Sequence, residues 1–140
     1  MNSAIGTYWI VLVLAILVAF VVGFTRKGNA HMRMPARRRV LELAATPAEV
    51  FAAVMRLPRP FRVDASRDDS VVILSSPVSF GSWGFFYPVV IRAGARGGSH
   101  VTIGCTSKVV QFGPIVTRNH SRCVQVIAEQ FEIPAARVVG

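Results

Sequence analysis

The first 25 residues carry no charged side chain, and the whole chain of 140 holds only seven acidic ones, none before Glu42. Glu42, Glu49, Asp64, Asp68, Asp69, Glu129 and Glu132 are scattered, and no pair stands out for acid–base work. Asp68 and Asp69 fall in "RDDS", where Asp is favoured for turn geometry. Cysteine is as scarce. Cys105 and Cys123 lack the CxxC spacing of a zinc site and read as buried free thiols. His31, His100 and His120 form no HxxxH or HExxH pattern, so each reads as a surface histidine. Ser121, His120 and Cys123 adjoin on one expected helical turn, yet neighbouring helical side chains diverge and no acid lies near them in sequence. "GARGGS", residues 94–99, lacks the Lys-Ser/Thr of a phosphate loop and reads as a hairpin turn. Arg118 and Arg122 in "TRNHSR" flank an expected helix start, where an anion can bind, but a solvated basic turn is the simpler reading. These absences argue against catalysis. No enzyme activity, metal or cofactor is expected.

Apolar residues, by contrast, make up 52% of the chain and raise its mean hydropathy to +0.47. The excess is local: Tyr8 to Phe24 reads "YWIVLVLAILVAFVVGF". Extended back to Ala4, the segment 4–24 gives about 20 helical residues, roughly 30 Å, enough to cross a bilayer core. A secretory signal would carry basic residues before the apolar run and small residues at a cleavage site after it. Here the order is reversed, with "FTRKG" following, so the segment reads as an uncleaved anchor with Tyr8 and Trp9 at one interface.

Arg26, Lys27, Arg33, Arg37, Arg38 and Arg39 all follow the span. Basic flanks stay on the cytoplasmic side, which places the N-terminus outside and the rest in the cytoplasm of a plasma (inner) membrane. A reducing cytoplasm also disfavours a disulfide between the two cysteines. The net charge of +9 is uneven: residues 40–140 hold ten basic against seven acidic side chains. The six preceding cations are therefore expected to face anionic headgroups rather than nucleic acid.

Residues 25–38, with Gly28, Asn29 and Pro35 as breakers, read as a basic juxtamembrane linker. A cytoplasmic α+β domain follows over 39–133, with a tail at 134–140. "RRVLELAA" reads as a strand, and "TPAEVFAAVMRLP" as a helix with Thr46 as N-cap, Pro47 at its first position and Glu49 completing a capping box. Four strand-like runs come next, with Phe61, Val63 and Ala65 alternating in the first, and "KVVQFGPIV" is open between strand and loop. A closing helix is expected from Asn119, with Cys123, Val126, Ile127 and Phe131 at helical spacing. The order β-α-β-β-β-β-α predicts an antiparallel sheet with its helices on one face.

"SFGSWGFFYP", residues 79–88, is the densest aromatic stretch. Strand alternation puts Phe80 and Phe86 on one side and Trp83, Phe85 and Tyr87 on the other, so one set needs cover other than the helices. Gly81 and Gly84 suggest a bend. Trp83, Phe85 and Tyr87 are the candidates for a partner contact, with Trp83 expected to be exposed in the isolated domain.

The strand followed by "ATPAEVFA" (Ala45 to Ala52), the antiparallel strands and the closing helix together resemble a reduced helix-grip domain of the START/polyketide-cyclase superfamily. That resemblance implies a hydrophobic-ligand or lipid-binding module, here with Phe86, Phe112 and Phe131 lining a cavity between sheet and closing helix. The leading expectation is different: a single-span, non-enzymatic accessory protein whose domain contacts a membrane-protein partner or itself.

Overall fold

The computed structural model describes residues 2–79, 82–109, 111 and 113–131. Its elements are α1 (Asn2–Thr25), β1 (Arg38–Leu43), α2 (Pro47–Val54), β2 (Arg62–Arg67), β3 (Val71–Ser76), β4 (Phe85–Ala93), β5 (Ser99–Gly104), β6 (Thr106–Ser107) and α3 (Pro114–Glu129). The fold is α+β: among the described residues, three α-helices with one six-stranded antiparallel sheet in the order β1-β5-β4-β3-β2, β6 pairing with β4. α1 is long and apolar enough to cross a membrane.

Local chemistry explains most boundaries. Thr46 Oγ1 accepts from the Glu49 N–H, and the Glu49 carboxylate accepts from the Thr46 N–H at 2.8 Å, so the expected capping box starts α2. Eight residues make too short a helix to persist alone, and α2 is held by burying Val50 and Val54 against the sheet. Asp68 and Asp69, at φ 53° and 50°, form the left-handed two-residue turn that suits a hairpin between β2 and β3. "GARGGS" is likewise a turn, joining β4 to β5.

Two boundaries differ from expectation. α3 begins at Pro114, not at Asn119, because Gly113 at φ 85° lets the chain turn straight into the proline. Asn119 lies inside the helix, its side-chain amide donating to the Ile115 carbonyl at 2.8 Å. In β2 the alternation of Phe61, Val63 and Ala65 is broken by a register shift between Val63 and Ala65. Phe61 joins the helix-side core, Val63 is exposed, and Ala65 packs on the opposite face.

The sheet buries both faces. On one, α2 and α3 enclose Leu41, Leu74, Phe85, Tyr87, Val101, Ile103, Cys123 and Ile127. On the other, Val71, Ile73 and Phe86 are covered by Met32 from the segment between α1 and β1. That segment is no free tether. It lies across the sheet as a strap, Gly28 against Ile73 and Met34 with Pro35 against Gly104. The Cys105 N–H donates to the Arg37 carbonyl at 3.2 Å, so the strap feeds into β1 already pinned.

Candidate functional site

The functional interest concentrates where α1 meets the sheet. A Cβ added at Gly23 would lie 2.8 Å from Val78 Cγ2 and 2.9 Å from the Trp83 carbonyl oxygen, so glycine here lets the loop between β3 and β4 touch the helix. The Trp83 ring meets Phe20 edge-on at 6.4 Å between centroids. Gly84, at φ 81°, turns the chain from Trp83 into β4, and a side chain there would meet the Ser76 carbonyl. That turn takes Trp83 out of the strand alternation and lays it on α1.

One turn further, Arg26 Nη1 donates to the Lys108 carbonyl at 2.9 Å, and its guanidinium stands 5.5 Å from the centre of the Phe86 ring. The Lys108 ammonium approaches the same ring at 5.3 Å. Lys108 is only 6% exposed. Burial lowers its pKa, with Arg62 acting in the same direction and Asp64 opposing. Asp64, aimed by the irregularity in β2, accepts from the Gly28 N–H through Oδ2 and from Ser75 Oγ through Oδ1, both at 2.7 Å. A cavity of about 80 Å³ opens between these groups, with Gly23 and Phe24 at its α1 end. Arg26, Lys27, Arg62 and Lys108 are its cations and Asp64 its carboxylate.

The six cations expected at headgroups are dispersed. Arg26 and Lys27 line the cavity, and Arg33 is exposed on the strap. Arg37 donates to Thr117 Oγ1 on α3 at 2.6 Å, while Arg38 and Arg39 belong to β1. Arg62 and Lys108, which the sequence did not single out, replace them at the site. Both of the chain's lysines, Lys27 and Lys108, line this cavity, a signal that was present in the composition.

The aromatic expectations need correction. Phe85 and Tyr87 are 0% and 1% exposed in the helix-side core, where Tyr87 stacks edge-on against Phe61 at 5.4 Å, so neither is available to a partner. Trp83 is partly buried in the full chain, where it packs on Phe20 of α1. Phe86 faces away from α3, whereas Phe131 packs on the helix side, so they cannot line one cavity. Phe112 lies outside the described residues.

His120 is also not a surface group. It is 2% exposed, its Nε2–H donates to the Ile103 carbonyl at 2.9 Å, and burial lowers its pKa. His100 stays partly exposed, with Nδ1 3.8 Å from the Glu42 carboxylate. Arg118 and Arg122 project from the middle of α3, away from its N-terminus. Cys105 and Cys123 are buried free thiols, and burial pushes Cys105 up to about 12. Among the described residues, no group of three or more His, Cys, Asp or Glu is placed to hold a metal. No family model, curated protein or solved structure matches the chain.

Proposed function

We propose that this is a single-span membrane protein, N-terminus outside and α+β domain in the cytoplasm, acting as a non-enzymatic accessory subunit. Its partner is another membrane protein or a second copy of itself. The observation that carries this reading is the junction: Gly23, Arg26 and Gly28 each bind a different part of the sheet domain, which fixes its height and orientation at the end of the span. A mount of that kind suits a part that must present itself to a neighbour in the same membrane. The apolar side chains of α1 from Tyr8 to Val22 are exposed almost throughout and offer a surface for packing on a second helix. His120, Cys105 and Cys123, the most reactive residue types, are engaged in the core, which favours a structural role for them.

Native mass spectrometry of the full-length protein, gently extracted from its own membrane, tests the proposal. A stoichiometric protein partner or a defined homo-oligomer supports it, and Trp83→Ala, by loosening the seat of the domain on α1, should weaken that assembly. A bare monomer refutes it. Trypsin should cut the domain in inverted vesicles and spare it in right-side-out ones, and the opposite pattern refutes the orientation.

A hydrophobic-ligand carrier of helix-grip type is the second reading. The order strand, short helix, antiparallel strands, closing helix supports it. The filling of the sheet–helix layer by Phe85, Tyr87, Val124 and Ile127 weighs against it. A monomer retaining a small apolar molecule in the same experiment would favour the carrier.

A further inference from the structure

The junction cavity has a charge imbalance that mounting the domain does not require. Four cations face it against one carboxylate, and Asp64 is already engaged by Gly28 and Ser75. Among the described residues, no carboxylate oxygen lies within 4 Å of Arg26, Lys27, Arg62 or Lys108. Lys108 is nearly buried, and its ammonium and the Arg26 guanidinium converge on one ring. Lys108 is held out of water with the exposed Arg26, Lys27 and Arg62 around it, and a buried ammonium beside like charges is costly unless a counter-charge with several acceptor oxygens joins them. A phosphoryl group supplies one, and guanidinium forks match its geometry.

Position selects the source. Gly23 and Phe24, from the last turns of α1, form one wall, and Trp83 packs a turn further into the span. On the membrane-anchored reading above, on which this inference rests, that wall lies at headgroup depth. We propose that the cavity binds the phosphoryl group of an anionic phospholipid of the cytoplasmic leaflet, held by Arg26, Lys27, Arg62 and Lys108. A volume of about 80 Å³ admits a headgroup phosphate but not acyl chains, which lie along α1. The lipid thereby becomes a fourth connection between span and sheet, beside the strap, Trp83 and the Arg26–Lys108 bond.

The test is native mass spectrometry of the full chain in mild detergent, titrated with phosphatidylglycerol or with phosphatidylcholine of the same acyl composition. One retained phosphatidylglycerol per chain is expected, in preference to phosphatidylcholine. Arg62→Gln and Lys27→Gln, both at exposed positions, should each lower retention about fivefold. Lys108→Met should abolish it, and the two surface variants keep the test valid if that one misfolds. Arg38→Gln, in β1 and outside the cavity, should leave retention unchanged. Equal retention of the two lipids, or an equal loss in Arg38→Gln, overturns the site in favour of diffuse attraction. Inorganic phosphate binding at the cavity with indifference to lipid overturns the lipid source. Carbonate extraction separates the two levels: release from membranes overturns the anchored reading, whereas retention without a selective adduct overturns the site alone.

Discussion

Gly28→Ala should lift the strap from the sheet without unfolding the helix-side core. A methyl at this position would lie well inside van der Waals contact of Ile73 Cγ2 and 3.3 Å from Asp64 Cβ. Carbon atoms pack best at about 3.5–4.0 Å, so the strap must retreat by roughly an ångström. Over-packing of this kind costs about 1–3 kcal/mol. The retreat also stretches the bond from the residue 28 N–H to the Asp64 carboxylate, worth about 1.5–3 kcal/mol for a charged acceptor and less at this half-buried site. Stiffening of the unfolded chain offsets about 0.4–1 kcal/mol. The net is about 2 kcal/mol against the seated strap, close to a thirtyfold shift in the seated-to-lifted ratio. Hydrogen exchange on the full-length protein in lipid nanodiscs reads this directly. The amides of residues 28 and 32 should exchange about thirtyfold faster, trypsin should cut sooner at Arg33, and the amides of β4 and β5 should keep their protection. Asp64→Asn should act in the same direction but more weakly, since it keeps the size and loses the charge. Unchanged exchange over residues 27–37 in Gly28→Ala would refute the reasoning, because no seated strap can accommodate that methyl.

Burial holds the pKa of His120 below its unfolded value near 6.5, so the neutral form stabilises the fold above that pH. As pH falls below about 6.5 the unfolded chain gains a proton that the folded one resists, and stability should decline by up to about 1.4 kcal/mol per pH unit until the folded pKa is passed. Thermal melts from pH 8 to 5 should show this, and an unchanged slope in His120→Gln would place the acid sensitivity elsewhere. The raised pKa of Cys105 and Cys123 predicts that neither reacts with a thiol reagent at pH 8 until the domain unfolds, and rapid labelling of the native protein would contradict their burial. Thr46→Ala removes the α2 cap and should cost about 1 kcal/mol, read as a fall in melting temperature of several degrees. No fall would mean that docking of Val50 and Val54 alone holds the helix.

The legible parts of the fold were those set by local chemistry. The capping box at Thr46, the left-handed turn at Asp68 and Asp69, the apolar run of α1 and the period-two pattern of Val101 and Ile103 each need only a few adjacent residues. Phe85, Phe86 and Tyr87 alternated as expected, but alternation does not say which set meets the helices. The helix layer claimed Phe85 and Tyr87, leaving Phe86 to the strap. Nothing in "TRKGNAHMRMPARR" marks it as a cover, because its seat depends on Gly104 and Ile73, which lie far away in sequence. The same reason hid the cation cluster. Lys108 and Arg62 reach Arg26 only through sheet topology, and the irregularity that aims Asp64 at Gly28 has no sequence signal of its own. His120 was read as superficial because it belongs to no ligand spacing, but α3 begins at Pro114 and places it on the same buried face as Val116, Cys123 and Val124.

The strap also alters what it means to detach this domain from α1. Composition invites a cut in the basic segment, as if a soluble module hung on a cord. Such a cut strips Gly28 and Met32 from Ile73 and Phe86 and leaves a bare apolar strip beside two unmatched cations. A protease acting there would release an adhesive fragment, not a diffusible messenger. Solubility on that face belongs to the intact chain, and the sheet is finished only when the end of α1 and the strap have been laid upon it.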